Sequence, residues 1–462
     1  MLKLEGKLAL VLGFGDTGLS MALYLARQGA RVRVADSRAE PPMAGRLAEL
    51  VPDAVVHAGP FRAESFSGID LIAISPGVDQ REPLTVRAAA SGVPLVGDIE
   101  LFAQALDALP GQTPPKVIAI TGSNGKTTVT TMVGEMCRRA GLNTVVAGNI
   151  GLPVLDALMD AERLGQPDVY VLELSSFQLE TTRSLRCDAA TVLNISEDHM
   201  DRYAGLKEYA AAKENVLTHA KALVLNREDP AVMAMARPGR TCWTFGLSEP
   251  ADDQQWGLVE SGDERFLSQN GVRLMAVDEL PLTGLHNAVN ALAALALSRA
   301  VGLPYPPLVD ALRHFKGLPH RVERVSEIDG VIYYDDSKGT NVGATVAALT
   351  GISSPVVLIA GGDGKGQDFA PLKDAVAKHA RAVILIGRDA ALIDSAICAS
   401  QVHVEHAANL QSAVARAAQL AQPGDAVLLS PACASWDMFK NYKHRAEVFV
   451  DAVHQLKARR GS

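Results

Sequence analysis

Short runs of apolar, β-branched residues alternate along nearly the whole chain with longer stretches whose apolar positions recur every three or four residues. The first kind fits strands covered on both faces and the second fits amphipathic helices laid across them, so the pattern predicts parallel sheets in an α/β fold. Residues 7–12, 31–35 and 70–75 are the predicted strands of a first unit, which closes at the break Pro110-Gly111-Gln112-Thr113-Pro114-Pro115. A second unit carries predicted strands at 117–120, 169–174 and 190–195, a more polar, β-like excursion over 252–275, and an alanine-rich helix over 286–300 that stops before Gly302. The third starts near Gly317-Leu318-Pro319-His320-Arg321, with strands predicted at 331–335, 356–360, 382–386 and 426–429. A chain of 462 residues suits three domains of about 150 residues each. Their expected extents are 1–109, 110–316 and 317–462.

Composition narrows the class. Hydrophobic residues make up 48%, and Lys+Arg 44 against Asp+Glu 52 leaves a net charge of -8 with no basic run. That argues against nucleic acid as a partner. The five cysteines, Cys137, Cys187, Cys242, Cys398 and Cys433, are scattered and form no Cys-x-x-Cys pair, as expected in a reducing compartment. The N-terminal apolar run breaks into a glycine turn too early for a signal peptide. The longest uncharged stretch, 339–362, contains Pro355 and several glycines and reads as helix, loop and strand instead of a membrane span. A soluble, cytoplasmic protein without membrane contact is expected.

The strongest chemical signal is Thr121-Gly122-Ser123-Asn124-Gly125-Lys126-Thr127-Thr128, between a predicted strand and a predicted helix. Glycines let backbone N–H groups turn toward phosphate oxygens, and the helix that follows points its positive end at the same anion. Lys126 can reach the β- and γ-phosphates and the Thr127 hydroxyl can bind Mg²⁺. The loop is a shortened version, because the usual pattern has glycine six residues before the lysine and Ile120 stands there. Past the ends of two further strands come Glu173, in Leu172-Glu173-Leu174-Ser175-Ser176-Phe177-Gln178, and His199, in Ser196-Glu197-Asp198-His199-Met200-Asp201. A carboxylate that closes an apolar strand calls for a cation. Helix capping by Ser196 or Asp198 would explain the acidic residues but not His199. Lys213, in Tyr209-Ala210-Ala211-Ala212-Lys213, reads by itself as an ordinary surface-helix lysine.

Near the N-terminus, Gly13-Phe14-Gly15-Asp16-Thr17-Gly18 follows a strand, and Asp36 ends the next one. This fits a diphosphate turn in a Rossmann-like domain, for NAD or equally for a nucleotide-sugar. In the third unit, Asp335-Asp336-Ser337-Lys338-Gly339-Thr340-Asn341, Gly361-Gly362-Asp363-Gly364-Lys365 and Ser430-Pro431-Ala432-Cys433-Ala434-Ser435 each follow an apolar strand. Three polar loops on one sheet edge, with Arg321, Lys338 and Lys365 among them, suit phosphate and carboxylate.

Together these blocks resemble the Mur ligase family over nearly the entire chain, with Gly148-Asn149-Ile150-Gly151, His286-Asn287 and Leu318-Pro319-His320-Arg321 also matching. The resemblance implies a Rossmann-like N-terminal domain, a P-loop ATPase-like central domain on a parallel sheet, and a Rossmann-like C-terminal domain. Within the family the combination is most similar to the branch that adds D-glutamate to UDP-N-acetylmuramoyl-L-alanine. It further implies ATP on Gly122, Ser123, Asn124, Gly125, Lys126, Thr127 and Thr128, with Asn287 and Arg321 at the nucleotide and Asp336 at its ribose. Mg²⁺ would be held by Thr127 and Glu173, and a second ion by His199 and a carbamate on Lys213. Lys126, His199, Lys213 and Lys338 would serve catalysis. Thr17, Asp36, Ser37, Arg38, Gly77 and Asn149 would meet the UDP-linked substrate, and Thr340, Lys365, Ser435 and Tyr442 the amino acid. Asp16, Trp436 and Tyr442 depart from the family pattern, which has apolar side chains at the first two and Phe at the third. A monomer whose third domain closes on the other two is expected.

Two rival readings share parts of this pattern. A folylpolyglutamate-type ligase has the central phosphate loop but no reason for the N-terminal nucleotide-sugar unit. An NAD-dependent oxidoreductase or sensor accounts for Gly13 to Asp36 and leaves the phosphate loop idle.

Overall fold

The computed structural model describes residues 3–109, 114–282 and 284–460; Pro110 to Thr113 of the expected first break lie outside them. The first sheet contains β1 (Leu8–Leu12), β2 (Arg31–Asp36), β3 (Val55–Ala58), β4 (Leu71–Ile74) and β5 (Leu95–Val96) in the order β3-β2-β1-β4-β5. All its pairings are parallel. The order reverses between β1 and β4, so the turns after these strands, at Gly13 and Ser75, flank the crevice where such sheets bind ligands.

The second sheet is built from β6 (Lys116–Thr121), β7 (Thr144–Gly148), β8 (Val169–Glu173), β9 (Ala189–Val192), β10 (Ala222–Asn226), β11 (Thr241–Phe245), β12 (Gln255–Ser261), β13 (Glu264–Gln269) and β14 (Val272–Ala276). Its order is β14-β13-β12-β11-β10-β9-β6-β8-β7. The polar excursion expected over 252–275 is an extension of this sheet: β12 pairs parallel to β11, and β13 and β14 then add antiparallel. β6 lies between β8 and β9, which places the phosphate loop beside Glu173 and Asn194. The helix Leu285–Ala300 packs its alanines on the helix Lys126–Arg139, the small side chains allowing close approach.

The strand expected at 190–195 ends at Val192. Beyond it the chain leaves the ladder to cross the phosphate loop. The Asn194 carbonyl oxygen accepts from the Ser123 amide at 2.9 Å, and its side-chain oxygen accepts from the Asn124 amide at 2.8 Å.

The third sheet contains β15 (Glu323–Ile328), β16 (Val331–Asp335), β17 (Val356–Gly361), β18 (Ala380–Ile386), β19 (His403–His406) and β20 (Ala426–Leu429), ordered β15-β16-β20-β17-β18-β19. Because β16, β20 and β17 are parallel neighbours, the three polar loops that follow them emerge side by side. The uncharged stretch 339–362 is a helix, Val342–Gly351, followed by β17.

The first two sheets share one apolar core, in which Leu25, Ile99 and Phe102 mix with Leu155, Leu158 and Leu179. Phe102 meets Tyr170 edge-on at 5.1 Å. The third sheet buries its own clusters on its two faces. Among the described residues no helix is long and apolar enough to cross a membrane.

Candidate active site

β6 ends at Thr121 and the next helix starts at Lys126, leaving Gly122 to Gly125 as the turn. Gly125 has φ +82° and a Cβ there would lie 2.5 Å from Asn290 Oδ1, so the turn requires glycine. Lys126 arches back over the loop, its Nζ donating to the Gly122 and Ser123 carbonyls at 2.9 and 3.0 Å. Thr127 Oγ1 lies 3.1 Å from both Arg321 Nη2 and Lys338 Nζ, which arrive from the third domain. Burial pulls the Lys338 pKa down to about 8, with Arg321 adding to the shift.

Glu173 is 1% exposed. Its Oε1 accepts from Asn149 Nδ2 at 2.7 Å, while its Oε2 is buried with no hydrogen-bond partner among the described residues. Such an orphaned carboxylate oxygen is expensive to keep, and on the strand next to the one that leads into the phosphate loop it is the kind of hard oxygen donor that Mg²⁺ prefers. The chain runs close to Glu173 at Gly148, at φ +109°, where a Cβ would lie 2.4 Å from the Glu173 carbonyl oxygen, and Asn149 follows directly.

His199 has φ +59° and packs edge-on against Phe177 at 4.7 Å. Burial holds its imidazole neutral, with a pKa down to about 4. Its neighbour Asp198 caps no helix, since 193–199 is a loop. Instead Asp198 forms an ion pair with Lys365 and accepts from Asn341 Nδ2 at 3.3 Å. Burial opposes its charge, but Lys365 and His199 outweigh that and hold the carboxyl at about 2.

Lys213 corrects its own sequence reading, because it is 1% exposed and not a surface lysine. Its Nζ donates to the Gly122 carbonyl at 2.9 Å beneath the phosphate loop and lies 4.5 Å from the Tyr209 ring centre. Burial, reinforced by Lys126, pushes its pKa well below the usual lysine value. No local pattern marks this, since the burial arises from how the helix Leu206–Glu214 docks.

Asn287, Arg321 and Asp336 come together with Asn124, Gly125 and Thr128 around a cavity of about 80 Å³. Asp336 accepts from Ser430 Oγ at 2.7 Å, and burial raises its carboxyl to about 7. Sequence reasoning gave no role to His286, which lines the same cavity with its pKa lowered to about 4 by burial. Asn194 and Asn341 likewise received no role, and Asp198 only that of a possible cap, although all lie in polar strings that follow strands.

At the N-terminal switch point a cavity of about 470 Å³ is lined by Thr17, Asp36, Ser37, Arg38, Gly77 and Asn149. Asp36 accepts from the Phe14 amide at 2.6 Å and is gripped by the Arg38 side chain. The Arg38 hydrogen bond holds its carboxyl at about 2. Asp16 is exposed at the first position of its helix, where an acidic side chain suits the helix dipole. Asn149 both lines this cavity and bonds Glu173, so the pocket runs up to the phosphate loop.

The four residues expected at the amino acid do not form one contact set. Lys365 faces Asp198, and Tyr442 lies beside Lys338, 5.7 Å from ring centre to Nζ. Thr340 and the buried Ser435 sit on the adjoining loops after β16 and β20. Trp436 is 72% exposed.

Three family descriptions match in succession: a Mur ligase MurD-like N-terminal domain over 7–97, a Mur ligase middle domain over 120–298, and a Mur ligase glutamate ligase domain over 320–433. The chain is 58% identical to the UDP-N-acetylmuramoylalanine--D-glutamate ligase of Thiobacillus denitrificans, covering 99% of this chain and 98% of that one. It is also 58% identical to the protein of the same name from Methylobacillus flagellatus, covering 99% of each. Among solved structures, the UDP-N-acetylmuramate-alanine ligase MurC of Thermotoga maritima superposes with a TM-score of 0.61 at 21% identity, covering 98% of this chain and 100% of that one. MurF from Acinetobacter baumannii does so at 0.60 and 17%, covering 97% and 91%. These two show the common three-domain fold. The N-terminal match speaks against the folylpolyglutamate reading, and the middle-domain match leaves no place for an oxidoreductase. On the sequence identity over its full length, the chain belongs to the Mur ligase family.

Proposed function

We propose that this chain is an ATP-dependent ligase that joins D-glutamate to UDP-N-acetylmuramoyl-L-alanine, in the cytoplasm and as a monomer, with domains over 1–109, 110–316 and 317–462. The observation that carries the reading is Glu173: its Oε1 accepts from Asn149, which lines the 470 Å³ pocket, its Oε2 has no hydrogen-bond partner among the described residues, and its strand pairs with the one that leads into the phosphate loop. The UDP-linked substrate occupies the N-terminal pocket, its diphosphate at the Gly13 turn and its carboxylate toward Asn149. ATP lies on Gly122 to Thr128, with its nucleoside against Asn287, Arg321 and Asp336. Lys126 and Lys338 bracket the γ-phosphate as the substrate carboxylate attacks it, giving an acyl phosphate and ADP. In-line phosphoryl transfer depends mainly on positioning and charge neutralisation, which these cations supply.

Mg²⁺, held by Glu173 and the Thr127 hydroxyl, would neutralise phosphate charge when bound. Burial lowers the Lys213 pKa well below the usual lysine value, which favours the free amine that takes up CO₂ as a carbamate; such a carbamate, with the His199 imidazole, would supply further anionic and nitrogen donors. Thr340, Lys365, Ser435 and Tyr442 receive the amino acid. Its amine then attacks the acyl carbon, and phosphate leaves from the tetrahedral adduct. Holding both reactants in one cleft makes this step effectively unimolecular.

Phosphate release from ATP and Mg²⁺ tests the reading. It is expected only when UDP-N-acetylmuramoyl-L-alanine and D-glutamate are both present, and not with L-glutamate. Release that ignores either partner would discard the assignment.

A further inference from the structure

Behind the loops of the third domain lies a charge with no counter-ion bonded to it among the described residues. Arg445, on the helix Tyr442–Arg460, is 1% exposed. Its Nη1 donates to the Cys433 carbonyl at 3.1 Å and its Nη2 to the Ser337 carbonyl at 2.8 Å. Its Nε is buried without a partner, and burial draws its pKa down to about 10. A buried guanidinium bonded, among the described residues, only to two carbonyls, with Asp437, Asp335 and Asp336 attracting it without bonding it, is costly, and apolar side chains of similar volume commonly replace such groups at no loss of stability. Stability is therefore a poor reason for arginine here.

The two carbonyls belong to the turns after β16 and β20. Ser337 precedes Lys338, and Cys433 lies two residues before Ser435. The second turn also contains Ala432 at φ +57°, a conformation that a non-glycine residue holds only when its surroundings impose it. Asp363 is bridged to Ala434, so the Lys365 loop is laddered to the same turn. A planar fork with fixed donor spacing sets the distance between two acceptors, which a lysine ammonium does not do.

We propose that Arg445 is a positioning residue for the ligation step, its guanidinium fixing the spacing between the Lys338 turn and the Ser435 turn so that the phosphate and the incoming amino acid are presented in register. The inference rests on the function proposed above only for the identity of those two ligands.

Two measurements on Arg445→Met and Arg445→Lys test it. In hydrogen exchange on the full chain, both variants lose protection together in 336–341 and 432–436 while 121–128 is unchanged. In steady-state kinetics, the KM for D-glutamate rises about ten-fold or more in Arg445→Met, the KM for the UDP-linked substrate stays within two-fold, and Arg445→Lys is intermediate. Unchanged exchange in the two turns overturns the inference whatever the substrate proves to be. So does an equal rise in both KM values, or a loss confined to thermal stability. Should Arg445→Met not fold, Arg445→Lys carries both readings. A wild-type enzyme inert with D-glutamate would count against the function instead, and the exchange result would still decide the role of Arg445.

Discussion

At the scale of single residues, the site is a set of charges set by burial and by paired neighbours. Replacing Glu173 by Gln keeps a partner for Asn149 and removes the orphaned anion. Catalysis is expected to fall by roughly a hundred-fold or more, with binding of the UDP-linked substrate, read by calorimetry, little changed. Lys213→Ala should lose activity and regain part of it with a short-chain carboxylate; a fully active variant would refute a role for Lys213. His286 gives a pH prediction. Its folded pKa of about 4 lies below the ordinary imidazole value of 6.5, so between these values the unfolded chain binds the extra proton. The stability it contributes is complete above 6.5 and is lost as the pH falls toward 4. Burial raises Asp336 and Asp98, to about 7 and about 6, and these oppose that trend, so the comparison to make is with His286→Asn. Melting temperatures of this variant should fall less between pH 6.5 and 4.5 than those of the wild type.

What could be read in advance divides along the same physical line. Lys126, Thr127 and Glu173 announce themselves because glycine spacing and a carboxylate at the end of an apolar strand are local features. Lys213 does not, because its environment comes from the docking of a separate helix under Gly122. Asp198 was taken for a possible cap because a carboxylate before a helical stretch is the commoner case, and its ion pair with Lys365 joins residues far apart in sequence.

Among elements, the long buried strands β1, β6, β8, β17 and β20 were legible as apolar runs. The short or half-exposed ones, β3, β5, β7 and β19, were not, since their burial patterns lack a continuous apolar face. The end of β9 is overestimated because Leu193 and Ile195 are apolar while the backbone at Asn194 between them has turned to serve the phosphate loop. One element boundary that depends on a glycine is the entry to the helix Lys126–Arg139. Gly125→Ala forces a side chain into φ +82° against Asn290, a strain of about 1–3 kcal/mol. The expected result is a lower unfolding midpoint in urea together with weakened ATP binding. Wild-type values for both would show that the turn tolerates a Cβ.

For the whole molecule, the division of the core matters most. The first and second sheets are fused by a common apolar cluster, whereas the third buries its own. The third domain reaches the second through Lys338 and Arg321 on Thr127, Asn341 on Asn124, and Lys365 on Asp198. Polar links of this kind are weak in water, so movement of the third domain against a rigid pair is expected. Small-angle scattering should show a smaller radius of gyration with an ATP analogue and the UDP-linked substrate than without them. An unchanged radius would argue for a fixed arrangement.

The hydrogen bonds from Arg321 and Lys338 to Thr127 have a further consequence. The cations that latch the third domain to the second are the ones a triphosphate would claim, and the hydroxyl they share is the one a metal ion would need. Loading is therefore an exchange and not an addition: nucleotide can seat only as the latch lets go, and the latch can close again only around it. The domain joint is in this sense a competitive inhibitor of its own enzyme, and the measured affinity for ATP is the difference between two sets of partners for the same two side chains.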